Sequence, residues 1–341
     1  MEFSFKDTLR TAVEIATDGK NTVMYDEYDN PNMMVCIPVY DKSALGLSNG
    51  THPAFILDDD TEVREIWVSK YMNVIGNGGV GISIPRVVPS KLTFKDAKTA
   101  CAKKGRGWHL ITNIEWSAIA SNVAKRGLSP REAKWDGCQT TTRACLHRTE
   151  EGEFTTGAHV AGGALNHDGK MEGICDMQGL YREHVDGIYV SDGKKRQIYV
   201  HGNGKVPQNR FRDNKYYATG WCYDWSSGTN YLGLDDLDTV YHEGNNAEMK
   251  YVQLKSFYNH MDGKPFPEEM ILHNVCPYKG YSGKAYAELS IWNDAKTKLG
   301  VFRGFATAAN ACPDILDLSV KSFIEGPSAD LGGFRAVYID Y

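Results

Sequence analysis

The chain has 341 residues, a formal net charge of −5 and 42% hydrophobic residues, as in an ordinary globular protein with one large or two modest domains. The negative net charge argues against nucleic acid as the main partner. No uninterrupted apolar run approaches the length of a membrane span, so we expect no membrane insertion. Residues 1–7 lack the basic and apolar regions of a signal peptide, so we expect synthesis without one, and a cytoplasmic and a virion-associated location both stay open.

Eight cysteines are scattered through the chain, without a CxxC pair and without the spacing of a zinc site. In a chain of this length, such cysteines are more often buried thiols than a disulfide framework. The sequence therefore favours synthesis in a reducing compartment.

Residues 1–30 are predicted to form a helical extension that precedes the main domain. The apolar residues that share one helical face are Leu9, Ala12, Val13 and Ala16. The helix is expected to end near Gly19. Two interpretations stay open, a helix that docks on the domain and an element for attachment or oligomerisation.

Short strands are expected next, at residues 33–38, 54–57 and 63–72. The apolar run at residues 66–68 is typical of a strand that is buried on both faces. The chain also ends in a strand-like pattern, at residues 334–341.

Two helices with start signals follow the early strands. Thr93 precedes Asp96 by three residues, and Thr112 precedes Glu115 by three residues, which is the spacing of a capping box. The apolar face of the second helix consists of Trp116, Ile119, Ala120 and Val123. Strands, two helices and further strands predict an α+β fold with short strands, two main helices and extensive loops.

Five segments resemble, in order, the motifs of one known family. They are W-V-S-K-Y at residues 67–71, G-W-H-L-I-T-N-I-E-W at 107–116, G-I-C-D-M-Q-G-L-Y-R-E at 173–183, F-R-G-F at 302–305 and L-G-G-F-R-A-V at 331–337. On these motifs the chain resembles the formylglycine-generating-enzyme (sulfatase-modifying factor) superfamily, a branch of the C-type-lectin fold. The resemblance implies one such domain over residues 31–341. It also implies that the guanidinium of Arg335, on the last strand, binds several loop carbonyls.

The generating enzymes of this family are copper-dependent oxidases with two cysteines shortly after the R-G-G-S turn. The matching positions here hold Ala309 and Asp314, and Cys312 matches neither. A two-thiolate copper site cannot be built from one thiol. We therefore expect no enzymatic activity, with a superfamily oxidase that has a rearranged site as the alternative.

We also expect no cofactor. The ten histidines are dispersed and do not form the three-histidine pattern of the iron-dependent branch of the family. Residues 58–60 are three adjacent aspartates that could suggest structural calcium. Adjacent side chains do not converge easily on one ion, so a solvated turn is favoured.

The C-terminal arrangement resembles the variable proteins of diversity-generating retroelements, in which a segment before the closing G-F-R motif contacts the ligand. The matching segment lies within residues 303–335, and its loop-rich part is residues 305–330. An aromatic loop at residues 221–231 is expected to supply a second wall. The predicted ligand-binding residues are Trp221, Tyr223, Trp225, Tyr231, Phe305, Thr307, Asn310, Asp314, Asp317, Ser319, Ser322 and Glu325.

The expected function is therefore non-enzymatic binding of a protein or a cell-surface ligand, with a phage or prophage as the expected source. A structural virion component that attaches through the N-terminal helix is a further alternative. The sequence identifies neither the ligand nor the oligomeric state.

Overall fold

The computed structural model describes residues 5–126, 149–151, 153–157, 166–177, 180–190, 197–202, 207–213, 215–224, 231–233, 241–244, 247–252, 267–275, 289–292, 299–304, 315, 318–323 and 331–341. Within these residues the chain is a mixed α+β protein, which confirms the fold class at this level. None of the helices in these ranges has the length and apolar character needed to cross a membrane.

Four helices lie in the described ranges. They are α1 (Phe5–Ala16), α2 (Phe94–Ala102), α3 (Asn113–Lys125) and the short α4 (Glu268–Leu272). The first eight strands are β1 (Asn21–Tyr25), β2 (Pro31–Pro38), β3 (Glu65–Ser69), β4 (Val74–Ile75), β5 (Gly81–Ile82), β6 (Trp108–Leu110), β7 (Glu183–Val190) and β8 (Gln197–His201). The remaining strands are β9 (Tyr216–Asp224), β10 (Tyr231–Gly233), β11 (Tyr241–Gly244), β12 (Ala247–Val252), β13 (Leu289–Trp292), β14 (Leu299–Arg303), β15 (Leu318–Phe323) and β16 (Ala336–Tyr338).

Two larger sheets carry most of these strands. The first has the order β1-β2-β3-β16-β6, so the last strand of the chain inserts between two early ones. The second has the order β10-β9-β8-β7-β14-β15-β13-β12-β11. A small hairpin, β4-β5, stands apart from both.

The main hydrophobic core lies around α3 and includes residues from both larger sheets, such as Val68 on β3 and Val301 on β14. The helix begins at Thr112, whose hydroxyl accepts from the Glu115 N–H, while the Glu115 carboxylate accepts from the Thr112 N–H. This reciprocal pair confirms the predicted capping box. The predicted apolar face of α3 is buried, with Trp116 fully enclosed.

A second core lies on the opposite face of the five-stranded sheet, under α2. Thr93 caps this helix by accepting from the Asp96 N–H, as predicted. Phe94 and Cys101 on α2 pack with Phe334. The thiols of Cys36, Cys101 and Cys175 are free, and the last two are buried, as expected for reduced cysteines.

The N-terminal helix lies against β1 and buries none of its residues. Arg10 Nε donates to the Val23 carbonyl at 3.0 Å, whereas Phe5 and Ile15 are 82% and 77% exposed. β1 itself pairs with β2, so the sheet crosses the predicted boundary at residue 30. The helix α1 therefore packs against β1 without burying any of its own residues completely.

Three predicted strands differ from the observed ones, and one of them is the pattern at residues 334–341, which forms only the shorter strand Ala336–Tyr338. Residues 54–57 do not form a strand, because Pro53–Phe55 is a turn of 3-10 helix that is capped by His52 Nδ1 accepting from the Ala54 N–H. The run is apolar because it is buried, and burial alone does not distinguish a turn from a strand. The strand predicted at residues 63–72 is shorter, Glu65–Ser69.

Arg335 joins the two larger sheets. Its side chain is fully buried, and Nη1 donates to the carbonyls of Ser69 and Lys70 at 3.2 and 3.1 Å, which confirms the predicted carbonyl contacts. Nε and Nη2 contact Glu183, the first residue of β7, at 2.8–3.1 Å. Burial raises the pKa of Glu183, and the adjacent guanidinium opposes that rise.

Replacement of Glu183 by Gln would leave the Arg335 charge buried without its counter-ion. We expect a loss of about 3–5 kcal/mol in the free energy of unfolding, measured by chemical denaturation. Glu153→Gln is the matched control, because Glu153 pairs with Lys91 at the surface and its loss should change little. An equal loss of unfolding free energy for the two substitutions would contradict the role of the Glu183–Arg335 pair in joining the two sheets.

Candidate functional site

The polar side chains at the start of α3 hold the strand that precedes the predicted ligand-binding segment. Asn113 Oδ1 accepts from Nε and Nη2 of Arg303 at 2.9 and 2.7 Å. The Asn113 amide nitrogen donates to the His273 carbonyl at 3.0 Å. Arg303 Nη2 donates to the same carbonyl at 2.8 Å, and Nη1 donates to the Asn274 carbonyl at 3.3 Å. The end of β14 is therefore fixed to α3 and to the residues after α4.

The turn after Arg303 is also fixed. Gly304 has φ 80°, and a Cβ at this position would lie 2.5 Å from the carbonyl oxygen of Met177. A side chain would be strained here in both backbone conformation and packing, so glycine is required. The backbone conformation at the end of β14 is therefore fixed.

The middle of the segment has an anchor of its own. Ile315 is fully buried, and its carbonyl accepts from Trp116 Nε1 at 2.8 Å. A buried indole N–H requires a partner, and a buried carbonyl does as well, so each satisfies the other. Three residues later, Leu318 begins β15, which pairs with β14 and β13.

The end of the segment, at residues 332–335, is also fixed to the rest of the fold. Gly332 and Leu92 exchange two backbone hydrogen bonds of 2.9 Å each, and the Gly333 N–H donates to the Arg182 carbonyl at 2.9 Å. Arg335 follows two residues later in its buried pair with Glu183. The described residues of the segment are therefore held at its start, in its middle and at its end.

The strand register assigns the described ligand-binding candidates to two ends of the nine-stranded sheet. Val190 pairs with Leu299, which pairs with Phe323, and the neighbouring β8 brings the end of β9 to the same side. We call this the Val190 end. The opposite end, where Glu183 pairs with Arg303, is called the Arg303 end.

Four of the predicted residues lie towards the Val190 end. These are Trp221 and Tyr223 on β9, Tyr231 on β10 and Ser322 on β15. Ser319 pairs with Phe302 and lies towards the Arg303 end. The other candidates, Trp225, Phe305, Thr307, Asn310, Asp314, Asp317 and Glu325, lie outside the described residues.

Two features of the prediction are corrected by these strands. Residues 221–224 were expected in a loop but form the end of β9, and Tyr231 begins β10. The segment 305–330, expected to be loop-rich, contains β15 at Leu318–Phe323. The aromatic residues Trp221, Tyr223, Tyr231 and Phe323 at these positions suit a sheet, and dense aromatic content was the wrong signal for a loop.

The strands that carry the described candidates are not neighbours in the sheet. Strands β8, β7 and β14 lie between β9 and β15. At the usual strand spacing this separates β9 from β15 by about 19 Å.

The sequence did not predict the buried polar groups that hold the predicted ligand-binding segment. Asn113 stands in the G-W-H-L-I-T-N-I-E-W motif, but only its contact with Arg303, 190 residues later, shows its role. His273 is fully buried, and the Asn113 amide nitrogen lies 3.2 Å from its Nδ1. We expected each histidine to be an ordinary surface or core residue, and the six whose burial the structure describes are all buried: His52, His109, His167, His184, His201 and His273.

A metal site requires several histidine, cysteine or carboxylate side chains around one point. Among the described residues, no group of three or more histidine, cysteine, aspartate or glutamate side chains is arranged to hold a metal. The acidic run at residues 58–60 contacts Arg212 and Gln208 through its carboxylates. Ala309, Cys312 and Asp314, the positions compared with the copper site, lie outside the described residues.

No protein-family model matches this chain, and no curated protein matches it.

The buried histidines give the frame a pH dependence. Burial lowers the pKa of His52 and of His273 to about 3, and that of His201 to about 4. In the unfolded chain a histidine titrates near pH 6.5. As the pH falls below that value, the unfolded state takes up protons that the folded state does not, so stability present above about pH 6.5 is lost towards acid pH.

We expect His273→Asn to reduce this acid sensitivity, because an amide oxygen can still accept from Asn113 but does not titrate. The slope of unfolding free energy against pH should fall by up to about 1.4 kcal/mol per pH unit between about pH 6 and about pH 4. Chemical denaturation across that interval measures it. An unchanged slope would contradict the assignment of His273 as a buried neutral group.

Proposed function

We propose that this protein binds a macromolecular ligand through a displayed surface, and that it catalyses no reaction. The observation that carries the proposal is the fixation of residues 303–335 by buried groups. Arg303, Ile315 and Arg335 tie the segment to the core at three places, and the polar candidates stand between these places in the sequence. Specific recognition benefits from contact residues that are held on a rigid frame.

A C-type-lectin-like scaffold of the formylglycine-generating-enzyme type is part of the same proposal. Three of the resembling motifs supply frame residues: the capping box of Thr112 and Glu115, the Arg303–Gly304 turn and the buried Arg335. These are structural roles that a binding protein and an enzyme of that superfamily would share. They support the proposed scaffold, but the function depends on which residues the scaffold displays.

The breadth of the surface favours a protein or cell-surface ligand. The parts near β9 and β15 are separated by about 19 Å. A typical protein interface covers about 800 Å² on each partner, which corresponds to a patch of roughly 30 Å across. Aromatic side chains such as Trp221 and Tyr223 are frequent energetic centres of such interfaces. Diversification of residues 305–330 by a retroelement is the origin that the resemblance suggests.

Two alternatives make different predictions. A superfamily oxidase requires a metal, yet the positions compared with its two thiolates hold Ala309 and Asp314. A virion component attached through its N-terminus is favoured by α1, which exposes Phe5 and Ile15. Attachment through α1 is compatible with ligand display, because α1 packs on the five-stranded sheet and the candidates lie on the other.

A six-fold alanine variant tests the proposal. It replaces Thr307, Asn310, Asp314, Asp317, Ser322 and Glu325. We expect the melting temperature to change by only a few degrees, because the proposal places these side chains at the surface, where a substitution usually costs about 0.5 kcal/mol or less. On arrays of microbial glycans and surface proteins, we expect the variant to lose the signals of the unmodified protein.

The matched control replaces Lys95, Thr99 and Lys103, exposed residues of α2 and its C-terminal cap, by alanine. It should retain every array signal. Full retention of those signals by the six-fold variant would contradict the proposal. Stoichiometric copper or iron in the purified protein would instead favour the oxidase.

A further inference from the structure

A groove of about 440 Å³ lies between α1 and the five-stranded sheet, away from the proposed ligand-binding surface. Its walls come from α1, β1, β3, β6 and the end of β16. The inner face of this sheet packs Ile66, Val68 and Val337 into the main core. The groove is on the other face, beside the part that α2 covers. Its volume is in the range of small-molecule sites.

Aromatic rings from three neighbouring strands line the groove. Tyr338 pairs in register with Trp67 on one side and with Trp108 on the other. The rings of Trp108 and Tyr338 lie 5.2 Å apart between centroids. Trp67 and Tyr338 are only partly buried, so their surfaces are accessible from the groove.

Two carboxylates stand next to this aromatic pair. Glu65 lies two residues before Trp67, and Asp340 lies two residues after Tyr338. The pairing of β3 with β16 ends at Trp67 and Tyr338, and Glu65 and Asp340 follow on the same side of this pair because the strands are antiparallel. Like charges that line one groove repel each other. In the part of the chain that the structure describes, neither carboxylate has a salt bridge, and both line the groove.

Local contacts orient these groups without neutralising them. Trp67 Nε1 donates to Glu65 Oε1 at 2.8 Å, which holds the carboxylate beside the indole ring. Burial, and next the charge of Asp340, raise the pKa of Tyr338. A third carboxylate, Glu14, accepts from the Thr22 hydroxyl on the opposite wall.

Cationic groups also lie near the groove, and the charge of Arg106 partly opposes the rise in the pKa of Tyr338. Arg10 is the one guanidinium among the groove's described lining residues, against three carboxylates, and its Nε donates to the Val23 carbonyl. Lys104 Nζ lies 4.2 Å from the centre of the Trp108 ring, and Lys6 Nζ lies 4.9 Å from that of Tyr25. The described lysines and arginines place no such group over Trp67 or Tyr338.

We propose that this groove binds a small organic cation, an alkylammonium or guanidinium compound. The charged head lies between Glu65 and Asp340, against the rings of Trp67 and Tyr338. Aromatic faces attract such cations, and carboxylates at the same place add charge complementarity. Occupation relieves the repulsion between the two carboxylates. The site is on a different sheet from the proposed ligand-binding surface and is independent of it.

Titration of the full chain with choline and with agmatine tests the proposal, monitored by calorimetry at low salt. We expect saturable binding of at least one probe, and the stronger one identifies the preferred head group. Asp340→Asn and Trp67→Leu should each weaken that binding by about 5- to 10-fold, in line with one cation–π contact or one charge-assisted hydrogen bond. Added salt should weaken it further.

Glu62→Gln is the matched control, because Glu62 is an exposed carboxylate near β3 that does not line the groove, and binding should be unchanged. The uncharged carbon isostere of choline should not bind. Absence of saturable binding of both probes at millimolar concentrations would overturn the proposal. Equal binding by the uncharged isostere, or by an Asp340→Asn variant that melts like the unmodified protein, would overturn it as well.

Discussion

The buried ion pair between Arg335 and Glu183 joins the two larger sheets, and the rest of the fold depends on this joint. Arg335 stands at the start of the last strand, and its guanidinium also binds the carbonyls of Ser69 and Lys70 at the end of β3. A charged group removed from water must have its partners supplied by the protein. The last strand can therefore insert between β3 and β6 only where Glu183 begins β7, which fixes the relative position of the sheets.

The same principle extends from this pair to the proposed ligand-binding surface. Arg303 satisfies its guanidinium with Asn113 and with carbonyls after α4, and Trp116 satisfies its indole with Ile315. These contacts join residues far apart in the chain through buried hydrogen bonds, which are costly to break. In the proposed function, these contacts stabilise the frame and the polar residues between the anchors contact the ligand. The proposed cation-binding groove differs, because its carboxylates have no salt bridge among the described residues and lie beside aromatic rings.

Local signals in the sequence predicted local structure well. The two N-terminal caps of α2 and α3 need only a hydroxyl and a carboxylate three residues apart, so Thr93 and Thr112 were sufficient evidence. Resemblance to known motifs correctly indicated the carbonyl contacts of Arg335. The turn at Pro53–Phe55 and the strand at residues 221–224 were missed, because burial and aromatic content do not specify backbone conformation. Glu183 and Asn113 contact Arg335 and Arg303 across long stretches of sequence, and the presence of Glu65 and Asp340 in one groove depends on strand order, for which one sequence carries no signal.

The central proposal is that buried anchors fix residues 303–335 while the polar residues between them bind the ligand. Its most direct test is a saturation mutagenesis scan of the whole chain, with resistance to proteolysis as the measure of folding. The account predicts that Trp116, Glu183, Arg303, Gly304 and Arg335 tolerate almost no substitution. The predicted ligand-binding positions between the anchors, such as Thr307 and Asn310, should accept most residues. Equal intolerance at those positions and at the anchors would contradict the account, because the segment would then be part of the frame.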